Sequence, residues 1–270
     1  MLTLGVVSDV HFGPEARFDG KLRKLTARSP ELLEGVVGEL RDRHRVDLLV
    51  NLGDCIEDES PAADAERYRA CLQVLEQGGM ERVHVAGNHD RIHLGDADLR
   101  QAWGMPAAGP LYRSFDRGGH HLVVLATHET KDVEVTIDDA QLDWLAADLA
   151  RHEAPTVVLM HHSAADQDLR GNRWFSRAPH LCLVKQRRRL RAILAAHGRT
   201  ILVVNGHLHW NHLDVIDGIP YLTLQSLCEN LDEDAPGRPA AAHAVIRLQD
   251  RRFAVHVEGA EPWRFQWEHR

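Results

Sequence analysis

Three things are scarce in this 270-residue chain, and each scarcity removes a class of function. Cysteine is the first: Cys55, Cys71, Cys182 and Cys228 are the only four, and no two stand in a C-x-x-C spacing. That usage speaks against a disulfide framework and for scattered reduced thiols in an intracellular protein. Long apolar runs are the second, since none approaches the ~18 residues that a membrane-spanning helix needs. The chain opens Met1-Leu2-Thr3-Leu4 and enters a strand with no basic segment of the signal-peptide kind. A cytoplasmic location and no membrane partner are therefore expected. Positive charge is the third: 32 Lys and Arg stand against 40 Asp and Glu, for a net charge of −8. Neutralising a phosphate backbone needs clustered Lys and Arg, so no extended nucleic-acid binding is expected. Internal repeats, low-complexity tracts and linkers are also missing, which favours a single domain over 1–270.

Histidine, by contrast, is abundant, with 19 residues. Their placement follows the hydrophobic pattern. Short apolar runs rich in β-branched residues read as buried strands. Five of them deliver potential metal ligands at their C-terminal ends: Asp9 and His11; Asp54; Asn88 and His89; His161 and His162; His207 and His209. The C-terminal edge of strands is where open α/β sheets keep their ligand crevices. In an extended segment alternate side chains point the same way, so Asp-x-His and His-x-His each present two ligands together. Gly or Ser stands beside most of these ligands, as in Gly87-Asn88 and Gly206-His207, where the backbone can pass close. Ser29-Pro30 and Ser60-Pro61 read as helix starts, and Thr136-Ile137-Asp138-Asp139 reads as a capping box. Residues 163–180 form a long polar loop of the kind that often lines a site. Strands resume from Leu213 onward.

In order, these stretches are Asp9-Val10-His11, Gly53-Asp54-Cys55-Ile56-Glu57, Gly87-Asn88-His89-Asp90, Met160-His161 and Gly206-His207-Leu208-His209. The ordered set resembles the calcineurin-like metallophosphoesterases across residues 2–209. The compact class III cyclic nucleotide phosphodiesterases are the most similar branch. The resemblance implies a four-layer αββα sandwich: two mixed β-sheets flanked by helices, a dimetal site at the strand C-terminal ends, and a β-rich completion over 210–270. It implies one metal held by Asp9, His11 and His209 and a second held by Asn88, His161 and His207, with Asp54 bridging. His89 is implied as the acid beside the leaving group and Asp90 as its orienting partner. His161 is preferred to His162 as ligand because it directly follows the apolar strand; His162, Arg91 and Arg173 are candidates for contact with substrate. Two departures stand near the substrate: Ser163 replaces the usual Pro after the His pair, and Thr127-His128 replaces an Asp-Ser pair.

Mixed nitrogen and oxygen donors without thiolate suit Mn, Fe or Zn better than Ca or Mg, and the resemblance leaves room for one Fe(III). Two divalent ions, two carboxylates and a bridging hydroxide leave a centre of about +1, suited to an anionic ester. The expected activity is hydrolysis of a small phosphodiester by in-line attack of that hydroxide. A phosphomonoesterase on the same centre is the alternative; a DNA nuclease and a non-catalytic scaffold are weaker ones. A homodimer is left open.

Overall fold

The computed structural model describes residues 1–15 and 17–269. In chain order its strands and helices begin with β1 (Leu2–Val7), a small ribbon of β2 (Arg17–Phe18) and β3 (Lys21–Leu22), α1 (Ser29–Asp42), β4 (Leu48–Asn51), α2 (Pro61–Gln77) and β5 (Glu81–His84). The middle of the chain supplies α3 (Asp96–Ala102), β6 (Arg113–Arg117), β7 (His120–Val124), β8 (His128–Thr130), β9 (Glu134–Thr136), α4 (Asp139–Leu149) and β10 (Thr156–Leu159). It ends with α5 (Arg187–His197), β11 (Thr200–Asn205), β12 (His212–Ile216), β13 (Ile219–Thr223), β14 (His243–Gln249), β15 (Arg252–Glu258) and β16 (Trp263–Glu268).

Two six-stranded sheets result, ordered β16-β15-β14-β1-β4-β5 and β12-β13-β11-β10-β7-β6. Both are mixed. β1, β4 and β5 run parallel, while β14 joins β1 antiparallel. β7, β10, β11 and β13 run parallel between antiparallel edges β6 and β12. The last sixty residues complete both sheets, as the sequence pattern suggests.

The layers follow from the period-2 alternation of strands. Leu4, Val6, Leu48 and Val50 of the first sheet pack against Leu122, Leu159, Leu202 and Val204 of the second in one apolar layer. Leu49 and Val245 point the other way, onto Leu33, Val36, Val37 and Leu40 of α1 and Tyr68, Cys71 and Leu75 of α2. Val123, Val158 and Val203 meet Leu142, Leu145 and Leu149 of α4 and Leu190 and Leu194 of α5. Helix, sheet, sheet, helix is the expected four-layer sandwich.

Local departures have local causes. Ser60 caps α2 as expected, accepting from the Ala63 N–H at 3.4 Å. Ser29 does not cap α1: a 3-10 turn over Thr26–Arg28 feeds straight into the helix, so Ser29 already has helical dihedrals. Thr136 does not open a capping box, because it is paired with His128 in the β8–β9 ribbon; Asp138 is the cap position. That ribbon and α3 are too short to show a period; β16 alternates Trp263, Phe265 and Trp267 with Arg264, Gln266 and Glu268, the period of a strand. Among the described residues no helix is long and apolar enough to cross a membrane.

Candidate metal centre

All five ligand-bearing turns meet at one end of the sandwich, because β1, β4, β5, β10 and β11 each deliver their turn at the C-terminal edge. The packing there leaves no room for a side chain at Gly53, Gly87 or Gly206. A Cβ on Gly87 would stand 2.1 Å from Asp54 Oδ1, and one on Gly206 would stand 1.8 Å from Ser8 Oγ. Asp9, His11, Asp54, His207 and His209 all adopt positive φ, between 52° and 67°. For residues with a Cβ this conformation carries a cost of order 1 kcal/mol or more each, and it clusters where a site over-determines the backbone.

Two groups of donors share one carboxylate. In the first, His11 Nε2 lies 3.3 Å from His209 Nε2, His209 Nε2 lies 3.5 Å from Asp9 Oδ1, and His11 Nε2 lies 3.8 Å from Asp54 Oδ2. In the second, His161 Nε2 lies 3.4 Å from the same Asp54 Oδ2 and 3.0 Å from Asn88 Oδ1. His207 approaches His161 with ring centroids 5.0 Å apart. Asp54 thus faces both groups with one oxygen, and its other oxygen accepts the His89 N–H at 2.9 Å.

Each imidazole is fixed from behind. His11 Nδ1 meets Glu57 Oε2 at 3.0 Å, and Lys24 Nζ meets the same oxygen at 2.6 Å. His209 Nδ1 meets Glu229 Oε2 at 2.8 Å, with Trp174 Nε1 donating to Glu229 as well. His161 Nδ1 is held by the Leu52 carbonyl at 2.8 Å, and His207 Nε2 by the Leu181 carbonyl at 3.0 Å. Imidazoles whose far nitrogen donates to a carboxylate or carbonyl are the arrangement of metal-ligating histidine. The donor set therefore fits a binuclear metal centre.

The electrostatics agree. Burial pushes the Asp9 and Asp54 carboxyls up, but neighbouring imidazoles, chiefly His209 and His161, reverse this and hold both below their ordinary range. Burial works against the charged imidazole of His161 too, yet Asp54 and Asp9 raise it to about 10. His209 is raised to about 9, burial being outweighed by Asp9 and Glu229. Buried carboxylates thus demand positive charge at the positions where divalent ions would supply it.

His162 lies beside this centre. Thr127 Oγ1 meets its Nδ1 at 2.7 Å, and its Nε2 has no hydrogen-bond partner. Ser163 uses its backbone N–H toward Cys182 O at 3.2 Å, a bond the usual Pro could not make. The 163–180 loop does line the site: Phe175 stacks on His207 at 4.7 Å and Trp174 meets His209 at 5.1 Å.

Two expected roles are corrected. Asp90 does not orient His89; its carboxylate accepts the backbone N–H groups of Asp54, Cys55 and Gly87 at 2.8–2.9 Å. It is fully buried and sets the Asp54 turn. Asp58 takes the place beside His89, at 2.5 Å from Nδ1. Arg173 donates to the carbonyls of Asn230, Leu231 and Asp232 and lies 3.9 Å from Glu229, the carboxylate behind His209. Arg91 does line the cleft with Asp58, Asn88, His89 and Glu129, a space of about 180 Å³, but its guanidinium is engaged by Thr127 O and Asp96. Lys24, Asp58 and Glu229 are the residues the sequence reading missed, and Glu57, the last residue of the Gly53-Asp54 motif, was given no role there; Asp58 directly follows that motif, while Lys24 and Glu229 carried no signal.

An αββα sandwich with two donor groups sharing a carboxylate defines the class: a binuclear metallohydrolase. The chain matches the calcineurin-like phosphoesterase family over residues 2–211 and belongs to that family. It is 26% identical over 216 residues to a probable cyclic nucleotide phosphodiesterase of Synechococcus sp., covering 77% of this chain and 73% of the relative. It is 31% identical over 234 residues to a cAMP/cGMP dual specificity phosphodiesterase of Mycobacterium tuberculosis, covering 84% and 67%. The fold matches a dimetal phosphatase from Danio rerio with a TM-score of 0.80 at 17% identity, covering 100% and 99% of the two chains. The chain is a metal-dependent phosphoric ester hydrolase.

Proposed function

We propose that this hydrolase acts on a small phosphodiester in preference to a phosphomonoester. The 3′,5′-cyclic nucleotides are the first candidates, because relatives carry that name. In this reading Asp9, His11 and His209 hold one ion, Asn88, His161 and His207 hold the other, and Asp54 spans both. Nitrogen and oxygen donors without thiolate favour Mn, Fe or Zn. When bound, such a pair supplies Lewis acidity toward the phosphoryl oxygens and an activated water near neutral pH.

The protein's own groups do the rest. His89 sits at the cleft beside Asn88, and Asp58 fixes Nδ1, which leaves Nε2 to carry a proton to the departing oxygen. Burial and Lys24 work against a charged His89, but Asp54, Asp58 and Glu57 outweigh them and raise its pKa.

One observation carries the diester preference: the arginines that could meet a second negative charge are already occupied. Arg173 serves the 230–232 carbonyls, and Arg91 is paired with Asp96 at 2.9 Å. Asp58, Glu129 and Asp132 line the cleft together with Arg91 and Lys131. Around the centre the carboxylates of Asp58, Glu129 and Glu229 stand against Arg91, Lys131 and the Asp58-held His89, so the cleft adds no surplus of positive charge to meet the second charge of a monoester dianion. Arg187, Arg189 and Arg191 on α5 are paired with Asp166, Asp139 and Asp143, which supports the absence of an extended nucleic-acid face. The four cysteines are buried and unpaired, in keeping with a reducing cytoplasm. The homodimer left open by the sequence is decided by light scattering. The test of substrate is turnover by the Mn-loaded protein of cyclic nucleotides, glycerophosphodiesters and monoesters. Turnover of monoesters alone would refute the reading.

A further inference from the structure

A second set of histidines and carboxylates lies outside the centre described above, where the end of α1 meets β14 and β15. Glu39 comes from the last turn of α1 and His44 follows the helix, while His243 and Glu258 face each other directly across the β14–β15 pair. Four side chains from two rigid elements therefore converge.

Their spacing is that of a coordination shell. His44 Nε2 lies 3.2 Å from Glu258 Oε2 and 4.0 Å from Glu39 Oε1. His243 Nε2 lies 3.7 Å from Glu39 Oε2 and 3.8 Å from Glu258 Oε2. Donors about 2.1 Å from a tetrahedral ion stand ~3.4 Å from one another, so these four of the six edges lie near that value, with Glu39 using Oε1 toward His44 and Oε2 toward His243.

His243 points to what is missing. It is 3% exposed, and its Nε2 has no hydrogen-bond partner. Its Nδ1 lies 3.2 Å from the Ala241 carbonyl, so Nδ1 carries the proton and Nε2 turns a lone pair toward two carboxylates. Lone pair against carboxylate is repulsive; a cation between them makes every contact attractive. Arg43 Nη1 already reaches both Glu39 and Glu258, 3.0 Å from the latter, so an ion bound here displaces a side chain that is 65% exposed. The carbonyl end of α1 adds negative potential at the same point. A groove of about 980 Å³ along α1 gives an ion a route from solvent.

We propose that Glu39, His44, His243 and Glu258 form a separate binding site for a divalent ion of the Zn²⁺ class, tying the end of α1 to the first sheet. Two imidazoles and two carboxylates give a neutral, tetrahedral shell, and no open position assigns it catalysis.

The test uses the full chain, stripped with chelator and dialysed against Zn²⁺, with elemental analysis and thermal unfolding. Asp54→Asn, which weakens the other centre, keeps the two counts apart. Wild type is expected to hold three zinc ions per chain, and Glu258→Gln and His243→Asn two each. In the Asp54→Asn background a zinc-dependent rise in Tm persists, and adding Glu258→Gln abolishes it. Arg43→Gln removes the competing cation and should tighten zinc binding at this site severalfold, a readout that survives if the other variants misfold. Two ions per chain in wild type, a third ion unaffected by Glu258→Gln, or no tightening in Arg43→Gln would each overturn the site. None of these results depends on which ester the enzyme cleaves.

Discussion

His89 Nδ1 lies 2.5 Å from a carboxylate oxygen of Asp58, whereas the carboxylate of Asp90, the next residue in the chain, accepts from three backbone amides. The cleft beside Asn88 therefore holds a histidine–carboxylate pair distinct from the proposed metal ligands.

Loss of that dyad should depend on the leaving group. A positioned general acid contributes roughly 10²–10⁴-fold, and only when the departing oxygen is a poor leaving group. His89→Asn is expected to slow alkyl diesters by that amount and nitrophenyl diesters far less. Asp58→Asn, which frees the ring without removing it, should cost about 10–100-fold on the alkyl ester. Parallel kinetics on both ester types check this; equal losses on both would leave His89 a binding group only.

Asp54 presents one oxygen to both donor groups. Asp54→Asn keeps the shape and removes the shared charge, so metal content should fall below two ions at the centre and turnover should fall with it. Elemental analysis of the variant reads the first, and titration of activity against added Mn the second.

Lys24 and Glu57 form a buried pair behind His11, 2% and 6% exposed. Removing one partner strands a buried charge, at a cost of about 3–5 kcal/mol. Lys24→Met should lower Tm by on the order of 10 °C. The double variant with Glu57→Met should regain much of that stability while still losing metal, because His11 is no longer held. Calorimetry paired with metal analysis separates the two effects.

His84 is 7% exposed, stacks on Trp103 at 5.9 Å, and leaves Nδ1 without a partner. Burial, then Arg113 and Arg82, push its pKa down to about 3. The unfolded chain binds a proton there near pH 6.5, so the folded state loses stability as pH falls from about 6.5 toward 3, by about 1.4 kcal/mol per unit. His84→Phe keeps the stack and removes the titration. Its Tm should fall less than that of wild type between pH 7 and 5; identical pH profiles would contradict the account.

Much of this was legible from sequence because strand period and turn chemistry are local. Five apolar runs ending in Asp, Asn or His gave both the sheets and the ligand turns. What stayed hidden depends on distant packing. Glu229 reaches His209 from a loop twenty residues on, and Lys24 reaches Glu57 from before α1; neither carries a spacing rule. Asp90 misled for the opposite reason: adjacency to His89 suggested a partner, but the tight Gly87 turn points its carboxylate back to the strand ends. Arg173 could not be placed without the 229–233 loop that claims it.

The most direct test of the central claim is the ratio of kcat/KM for bis-nitrophenyl phosphate to that for nitrophenyl phosphate, with Mn-loaded protein at one pH. With Arg91 engaged by Asp96 and Arg173 held by the 230–232 carbonyls and Glu229, the ratio should exceed one, and Arg173→Ala should leave it unchanged. Lys131 at the rim of the cleft is the cation to remove next, and Lys131→Ala should leave the preference in place. A ratio below one in wild type that rises above one in Arg91→Ala or Lys131→Ala would contradict the account and make the enzyme a phosphomonoesterase.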